Sequence, residues 1–225
     1  QIRELGKAMA GSGDAYRGEY TDEIRKRLEK RFAEMKKLSI EDLGFAAAEE
    51  IQKDNKTFIA KKLGIRFDVW YAEEKLYTNR HVARALEELN ARDAAYQKDG
   101  AVWFRSTAFG DSEDRVAVRA DGTPTYFLPD VAYHREKLTR RRFDKVIDIL
   151  GADHHGTFPR VQAGLAALGI GSERTQAVFT QIVRWKKGGK EVKMSKRRGL
   201  FVTLEELVCD AGLDGARYFF LEKSP

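Results

Sequence analysis

Cysteine and long apolar runs are both scarce in this chain of 225 residues. Its single cysteine, Cys209, excludes an internal disulfide framework and is typical of a protein in a reducing compartment. No apolar run approaches the roughly 20 residues that a membrane-spanning helix needs, and the first residues show no signal-peptide pattern. We therefore expect a cytoplasmic protein without a membrane partner, in which Cys209 packs on a helix as a small hydrophobic residue.

The remaining composition is that of an ordinary globular protein, with 42% hydrophobic and 34% charged residues. The length is sufficient for one large domain or two small ones, each with a hydrophobic core. The formal net charge of +6 is compatible with a nucleotide or nucleic-acid partner, although many basic surfaces are only solvated. Charge alone therefore does not identify a ligand.

Helical periodicity dominates the first part of the chain. Apolar residues at steps of three and four predict an amphipathic helix from Thr21 to Leu38. Ser39, followed by acidic residues, predicts a capped start for a second helix that continues toward Leu63. A third helix is predicted from Thr78 to Asn90.

Strand-like runs and helices alternate after Ala101. Asp130 is expected to cap a helix that continues through Leu138, and Thr203-Leu204-Glu205-Glu206 forms a capping box. The alternation predicts part of an α/β doubly wound domain, with Val146–Leu150 as its buried parallel strand. The other predicted strand regions are Val102–Phe104, Val116–Val118, Thr125–Phe127 and Ala177–Trp185.

A cationic, glycine-rich loop contains Lys193-Met194-Ser195-Lys196-Arg197. Such a loop is suited to closing over a triphosphate and neutralising the charge that develops as pyrophosphate leaves. A charge run is more often a solvated surface, and a tetrapeptide of this kind also occurs by chance. Its position after a glycine-rich strand end and before a capped helix favours the phosphate-binding interpretation.

The segment Gly151-Ala152-Asp153-His154-His155-Gly156 follows the most apolar predicted strand. Open α/β sheets place ligands at the carboxyl ends of their strands. Glycine permits close approach of the backbone, and Asp153 could accept hydrogen bonds from ribose hydroxyls. A simple capped turn is one alternative. A metal site that also includes His134 is the other, but adjacent histidines in a turn seldom converge on one ion.

Tyr126 and Asp130 lie four residues apart at a predicted strand-to-helix junction. A carboxylate beside a phenol suits a cationic substrate such as a guanidinium. Without further context, Asp130 is more simply a helix cap and Tyr126 a half-buried strand residue. Glu73, which follows Trp70-Tyr71, is equally ambiguous when taken alone.

Several segments together resemble one protein family. Residues 193–197 are similar to the KMSKS loop of class I aminoacyl-tRNA synthetases. Five further segments resemble arginyl-tRNA synthetases in particular. They are residues 16–20, 67–70, 121–134, 151–156 and 199–204. The resemblance is dense from Phe67 to Pro225 and looser before it. It implies a helical insertion or connective region over residues 1–66. Residues 67–225 would then form the second half of a doubly wound, Rossmann-like nucleotide-binding domain.

The resemblance implies ATP-dependent activation of arginine to arginyl-adenylate and transfer of the arginyl group to tRNA(Arg). Lys193 and Lys196 would stabilise the reacting phosphates as catalytic residues. Glu73, Tyr126 and Asp130 would read the guanidinium, and magnesium would arrive with the ATP phosphates, without a metal site in the protein. The remaining ATP contacts would be Gly151, Asp153, His154, His155, Gln181, Ile182, Val183, Met194 and Ser195.

The sequence departs from the family pattern in two respects. Arg197 occupies the final loop position, where the family has serine, and no His-x-Gly-His motif occurs in these residues. We therefore expect a portion of such an enzyme that lacks the histidine-bearing half and the anticodon-binding domain and is inactive alone. The alternatives are a non-catalytic arginine- or RNA-binding module and a metal-dependent phosphoesterase, because Asp153-His154-His155 resembles the DHH motif.

Overall fold

A computed structural model of the chain describes residues 1–13, 15–181, 186–187, 190–191 and 203–222. These residues form two compact units. One contains the described parts of Gln1–Asp68 and Val183–Glu222, and the other contains those of Val69–Ile182. The predicted domain boundary between residues 66 and 67 lies beside the first division, whereas the second division falls within the predicted domain 67–225.

Helices and short strands alternate along most of the described chain. The helices are α1 Ile2–Ala10, α2 Glu19–Arg31, α3 Ile40–Lys61, α4 Glu74–Thr78, α5 His81–Ala91, α6 Phe127–Arg135, α7 Phe158–Ala167, α8 Leu204–Ala211 and α9 Leu213–Glu222. The strands are β1 Ala95–Lys98, β2 Ala101–Phe104, β3 Arg115–Val118, β4 Val146–Gly151, β5 Thr175–Thr180, β6 Lys186–Lys187 and β7 Lys190–Glu191. Within the described residues, no helix combines the length and apolar character needed to cross a bilayer.

Two glycines allow α1 and α3 of the first unit to pack in backbone contact. A Cβ atom on Gly6 would lie 1.8 Å from the carbonyl oxygen of Ile40. A Cβ atom on Gly44 would lie 2.2 Å from the carbonyl oxygen of Ile2. Both distances are far below van der Waals contact, so only glycine fits at these crossings. Leu5, Met9, Ile24, Leu28 and Leu43 are buried around them.

The helix predicted from Thr21 to Leu38 is wrong at its end. Helix α2 stops at Arg31, where Phe32 takes an extended conformation. A short 3₁₀ turn over Met35–Lys37 follows. This break allows Phe32, Met35 and Leu38 to pack against the helical core. The predicted cap of α3 is confirmed, because the Ser39 side chain accepts a hydrogen bond from the backbone N–H of Asp42 at 3.0 Å.

In the second unit, two predicted boundaries of helices and strands are wrong. The helix predicted from Thr78 to Asn90 starts three residues later, as α5 at His81, because Arg80 has a left-handed φ of 59° and separates it from α4. The predicted strand Thr125–Phe127 is instead the approach to α6. The backbone N–H of Thr125 donates to the carbonyl of Ala117 at 2.9 Å, and the helix starts two residues later. Asp130 therefore lies in the first turn of α6, and Tyr126 occupies the N-cap position.

Strands β4 and β5, which precede and follow α7 in the sequence, pair in parallel. Their register runs from Val146 opposite Thr175 to Gly151 opposite Thr180. This βαβ arrangement confirms the predicted α/β class. The expectation of a fully buried β4 is wrong, because Ile147 and Ile149 are 56% and 74% exposed. Alternate residues of a strand point to opposite faces, and only one face of β4 is packed.

The capping box that starts α8 is also confirmed. Thr203 Oγ1 accepts from the backbone N–H of Glu206 at 3.1 Å, and the Glu206 carboxylate accepts from the backbone N–H of Thr203 at 2.7 Å. Cys209 is exposed, contrary to expectation. The more buried side chains of this helix are Leu207 and Val208, which occupy the positions immediately before Cys209.

Gly44→Ala is expected to destabilise the first unit by about 2 kcal/mol or more, because the added methyl group forces α1 and α3 apart. Gly215→Ala in α9 provides a matched control, since its Cβ atom would meet no atom closer than 3.9 Å. That control should be neutral or stabilising by about 0.5–1 kcal/mol. Urea unfolding measures both effects. Equal stabilities for the two variants would contradict the close helix crossing.

Candidate active site

Helix α6 presents two of the predicted site residues at its N-terminus. Tyr126 is 81% exposed, and Asp130 is accessible in the first turn. The opposite side of the helix is fixed by Leu128 and Val131, which are both fully buried. A Cβ atom on Gly164 of α7 would lie 2.5 Å from Val131 Cγ2, so α6 and α7 also pack very closely. The exposed polar side chains therefore rest on a rigid support.

Two residues of α4 and its start form a cluster with Tyr126 and Asp130. Glu73 occupies the N-cap position of α4, and Tyr77 lies within the helix. The pKa of Tyr77 is raised, first by desolvation and then by the charges of Glu73, Asp130 and Tyr126. Tyr77 therefore lies within electrostatic range of the other three groups. Tyr77 was not predicted from the sequence. The sequence does contain one signal for it. Tyr77 follows Glu73 by four residues, a spacing that places the two side chains on one helix face.

The positive charges near Asp130 do not fully compensate the cost of ionising its carboxyl group. Its pKa is raised, first by desolvation and then by the negative charges of Glu73 and Asp148, while His134 and His154 oppose the shift. Two acidic groups beside aromatic rings thus form a cluster in which an incoming cation would relieve an unfavourable charge.

A buried ionic cluster lies behind Asp130. His134 Nε2 is 2.5 Å from Asp148 Oδ2, and Lys137 Nζ is 3.0 Å from Asp148 Oδ1. The side chains of His134, Lys137 and Asp148 are only 9%, 13% and 13% exposed. Burial of Asp148 opposes its ionisation. Its hydrogen bonds and charge interactions with His134 and Lys137 outweigh that effect and lower its pKa.

The loop after β4 brings together the predicted nucleotide contacts. A Cβ atom on Gly151 would lie 2.5 Å from Asp153 Oδ1, so the glycine leaves room for that carboxylate. Asp153 and His154 are exposed in a short 3₁₀ turn. The ring of His155 stacks on Phe179 of β5 with centroids 3.7 Å apart.

Gln181 is exposed directly after β5. Because β4 and β5 are parallel and Gly151 pairs with Thr180, Gln181 lies at the same sheet end as the loop after β4. The predicted contacts Ile182, Val183, Lys193, Met194, Ser195 and Lys196 lie outside the described residues.

The described residues bring no three His, Cys, Asp or Glu side chains together in an arrangement that could hold a metal ion. His134, which was considered as a possible ligand, is hydrogen-bonded to Asp148 and to the backbone carbonyl of Asp130.

The parallel βαβ unit with polar side chains at its strand ends is typical of nucleotide-binding α/β enzymes. A family model described as "tRNA synthetases class I (R), catalytic domain" matches residues 18–225. The chain belongs to this family, as the sequence resemblance predicted.

Curated relatives agree with this assignment. The chain is 45% identical to an arginine–tRNA ligase of Geobacillus kaustophilus, over 99% of the chain and 41% of that protein. It is 43% identical to the arginine–tRNA ligase of Bacillus subtilis, over 94% of the chain and 38% of that protein. The chain therefore spans about two-fifths of the length of these relatives.

Solved structures show the same fold. A structure described as a putative arginyl-tRNA synthetase from Campylobacter jejuni has a TM-score of 0.84 and 30% identity, over 100% of this chain and 52% of that one. Thermus thermophilus arginyl-tRNA synthetase, at 17% identity, matches with a TM-score of 0.57 over 80% of this chain and 39% of that one.

Asp148→Asn is expected to lower the free energy of unfolding at pH 7 by about 3 kcal/mol, because it removes a largely buried carboxylate that is hydrogen-bonded to His134 and Lys137. The pKa of Asp148 is lower in the folded chain than the unfolded value of about 3.9. Its stabilising contribution is therefore present above that value and is lost as pH falls through the folded pKa.

Urea unfolding at pH 7 and at pH 2.5 measures this contribution. The difference between the wild type and Asp148→Asn should shrink at the lower pH. Asp144→Asn replaces an exposed aspartate of the same unit and should change little at either pH. A difference that persists undiminished at pH 2.5 would show that the charge of Asp148 is not what stabilises the cluster.

Proposed function

We propose that this chain supplies the arginine and nucleotide contacts of an arginine–tRNA ligase. The observation that carries the proposal is the acidic and aromatic cluster at the start of α6, next to the loop after β4. The two are connected by the contact of 2.5 Å between His134, one helical turn after Asp130, and Asp148, three residues before Gly151. An amino acid held by its side chain at α6 would thus have its carboxylate near a bound nucleotide.

The cluster fits a guanidinium better than a neutral or acidic side chain. Asp130 and Glu73 offer carboxylate oxygens, which accept hydrogen bonds from the several N–H groups of a planar guanidinium. Tyr126 and Tyr77 add aromatic rings on which such a cation can pack. Binding of the cation would favour the ionised form of Asp130 and so remove the penalty that raises its pKa.

The nucleotide end of the site rests on the strand ends of β4 and β5. Gly151 allows the backbone to approach a ribose, Asp153 accepts hydrogen bonds from its hydroxyls, and Gln181 begins the segment that contacts adenine. His154 and His155 flank this position. Magnesium would be held through the ATP phosphates.

In the proposed reaction the arginine carboxylate attacks the α-phosphate of ATP. The bond from that phosphorus to the bridging oxygen breaks and pyrophosphate leaves. A hydroxyl of the terminal ribose of tRNA(Arg) then attacks the carbonyl carbon of the arginyl-adenylate, and AMP leaves. Lys193 and Lys196 would neutralise the developing phosphate charge, an effect of about 10²–10³ in rate per contact. Met194 and Ser195 would complete that loop over the nucleotide. The cytoplasm is the proposed location.

The activity proposed for this chain alone is narrower than complete aminoacylation. Since the chain spans 41% and 38% of two full-length relatives, complete aminoacylation is proposed for an enzyme of their length. For the chain itself we propose binding of arginine and ATP. Arginine-dependent exchange of pyrophosphate into ATP, measured with the histidine-bearing segment supplied, tests the complete site. Exchange of the same size without that segment would contradict the proposed division of the site.

Asp130→Asn is expected to weaken arginine binding by about 10–100-fold, because a charge-assisted hydrogen bond is replaced by a neutral one. Citrulline has nearly the same shape as arginine but carries no charge, so its affinity should change much less. Calorimetry with both ligands measures the selectivity. Asp93→Asn is the matched control, since its side chain is 91% exposed and lies outside the cluster. Unchanged selectivity in Asp130→Asn would remove Asp130 from the guanidinium site.

Gly151→Ala is expected to weaken ATP binding by about tenfold, because the new methyl group displaces the Asp153 carboxylate. Gly156→Ala in the same loop is the control, since a Cβ atom there would meet no atom within 4 Å. Fluorescence titration with a labelled ATP analogue compares the two variants. Equal affinities for both would count against a ribose site at Asp153.

A further inference from the structure

His134 meets a hydrogen-bond acceptor at each of its ring nitrogens. Nδ1 is 2.8 Å from the backbone carbonyl oxygen of Asp130. Nε2 is 2.5 Å from the carboxylate oxygen Oδ2 of Asp148. A carbonyl oxygen and an ionised carboxylate only accept hydrogen bonds, so both ring nitrogens must donate. The two contacts together therefore require a doubly protonated, positively charged imidazole ring.

The ionised state of Asp148 is supported by a second cation. Lys137 Nζ donates to Asp148 Oδ1 at 3.0 Å, from the single turn of π-helix, Glu136–Arg140, that extends α6. The three buried groups thus form a cluster of two cations and one anion with a net charge of +1. The nearby acidic groups Glu73 and Asp130 carry a charge of −2 when ionised.

The cluster connects the two ends of the proposed site. His134 lies one helical turn after Asp130 on α6, and Asp148 lies on β4, three residues before Gly151. Both connections are made by buried side chains. A side chain fixed in this way determines where the first turn of α6 stands relative to the strand end that leads into the nucleotide loop.

We propose that His134 is a positioning residue, whose protonated ring joins α6 to β4 through Asp148 and so places the Asp130 carboxylate at the proposed guanidinium site. This inference rests on the proposed arginine site and adds how that site is kept ready. His134 touches neither substrate in this scheme. It acts through the backbone of Asp130 and through its charge.

The charged and titratable groups around Asp130 come from several elements. His134 from α6 and His154 from the loop after β4 favour its ionised form, whereas Glu73 at the start of α4 and Asp148 on β4 disfavour it. Loss of the positive charge on His134 should therefore shift the ionisation of Asp130 to higher pH.

The first experiment requires no substrate. Long-range ¹H–¹⁵N spectra of the chain at pH 7 should show two protonated nitrogens on the His134 ring. In Asp148→Asn the ring should carry only one proton, because the neutral amide can donate to Nε2. A singly protonated ring in the wild type overturns the proposal, and so does a doubly protonated ring in Asp148→Asn.

The second experiment measures the arginine affinity against pH by calorimetry for the wild type and for His134→Gln. Glutamine retains a hydrogen-bond donor but not the charge. The arginine affinity of the variant should be about tenfold weaker than that of the wild type, and the difference should grow as the pH falls, because loss of the ring charge raises the pKa of the Asp130 carboxyl group. His81→Gln is the matched control, since His81 and His134 are 3% and 7% exposed and neither Glu73 nor Asp130 is among the charges that influence the pKa of His81.

The outcomes separate this inference from the proposed function. A His134→Gln curve that follows the wild type, or that His81→Gln reproduces, overturns the positioning role while leaving the arginine site in place. Absence of arginine binding in the wild type counts against the proposed function, and the ring spectra then decide the state of His134 on their own.

Discussion

The contacts of Asp148 with His134 of α6 and with Lys137 of the π-turn that extends it connect the two ends of the proposed site. His134 and Lys137 approach from the helical side, and Asp148 projects from the neighbouring parallel strand. A buried carboxylate is costly unless it is paired and hydrogen-bonded, and this one is both. Because one end of the pair belongs to β4 and the other to α6, the contact fixes the strand end that leads into Gly151 relative to the helix start that presents Asp130.

Charge also explains what the site can accept. Desolvation raises the pKa of the accessible Asp130 carboxyl group, and the negative charges of Glu73 and Asp148 add to the shift. In the proposed site, a ligand with a delocalised positive charge would offset this, whereas a neutral ligand of similar shape would not. The aromatic rings of Tyr77 and Tyr126 leave such a ligand a flat, partly apolar surface. The family match to class I synthetases of the arginine type agrees with this preference.

The parts of the fold that could be predicted from the sequence depend on local signals. Ser39 caps its helix as expected, and the apolar run before Gly151 forms the parallel strand. The start of α6 was mispredicted because the strand-like run ends at Thr125, whose backbone N–H donates a hydrogen bond to the carbonyl of Ala117. A contact between such distant residues cannot be read from the local sequence pattern. Tyr77 and the pairing of His134 with Asp148 were also missed. The pairing depends on how separate elements pack, and Tyr77 offers only its spacing from Glu73, whereas the prediction of Tyr126 and Asp130 came from the resemblance to a family.

A crystal structure of the chain with a non-hydrolysable arginyl-adenylate analogue tests the central claim most directly, since one ligand reports on both ends of the site. The account predicts the guanidinium within hydrogen-bond distance of the Asp130 carboxylate and the ribose against Gly151 and Asp153. A guanidinium bound away from the start of α6, or a ribose bound away from the loop after β4, would contradict it.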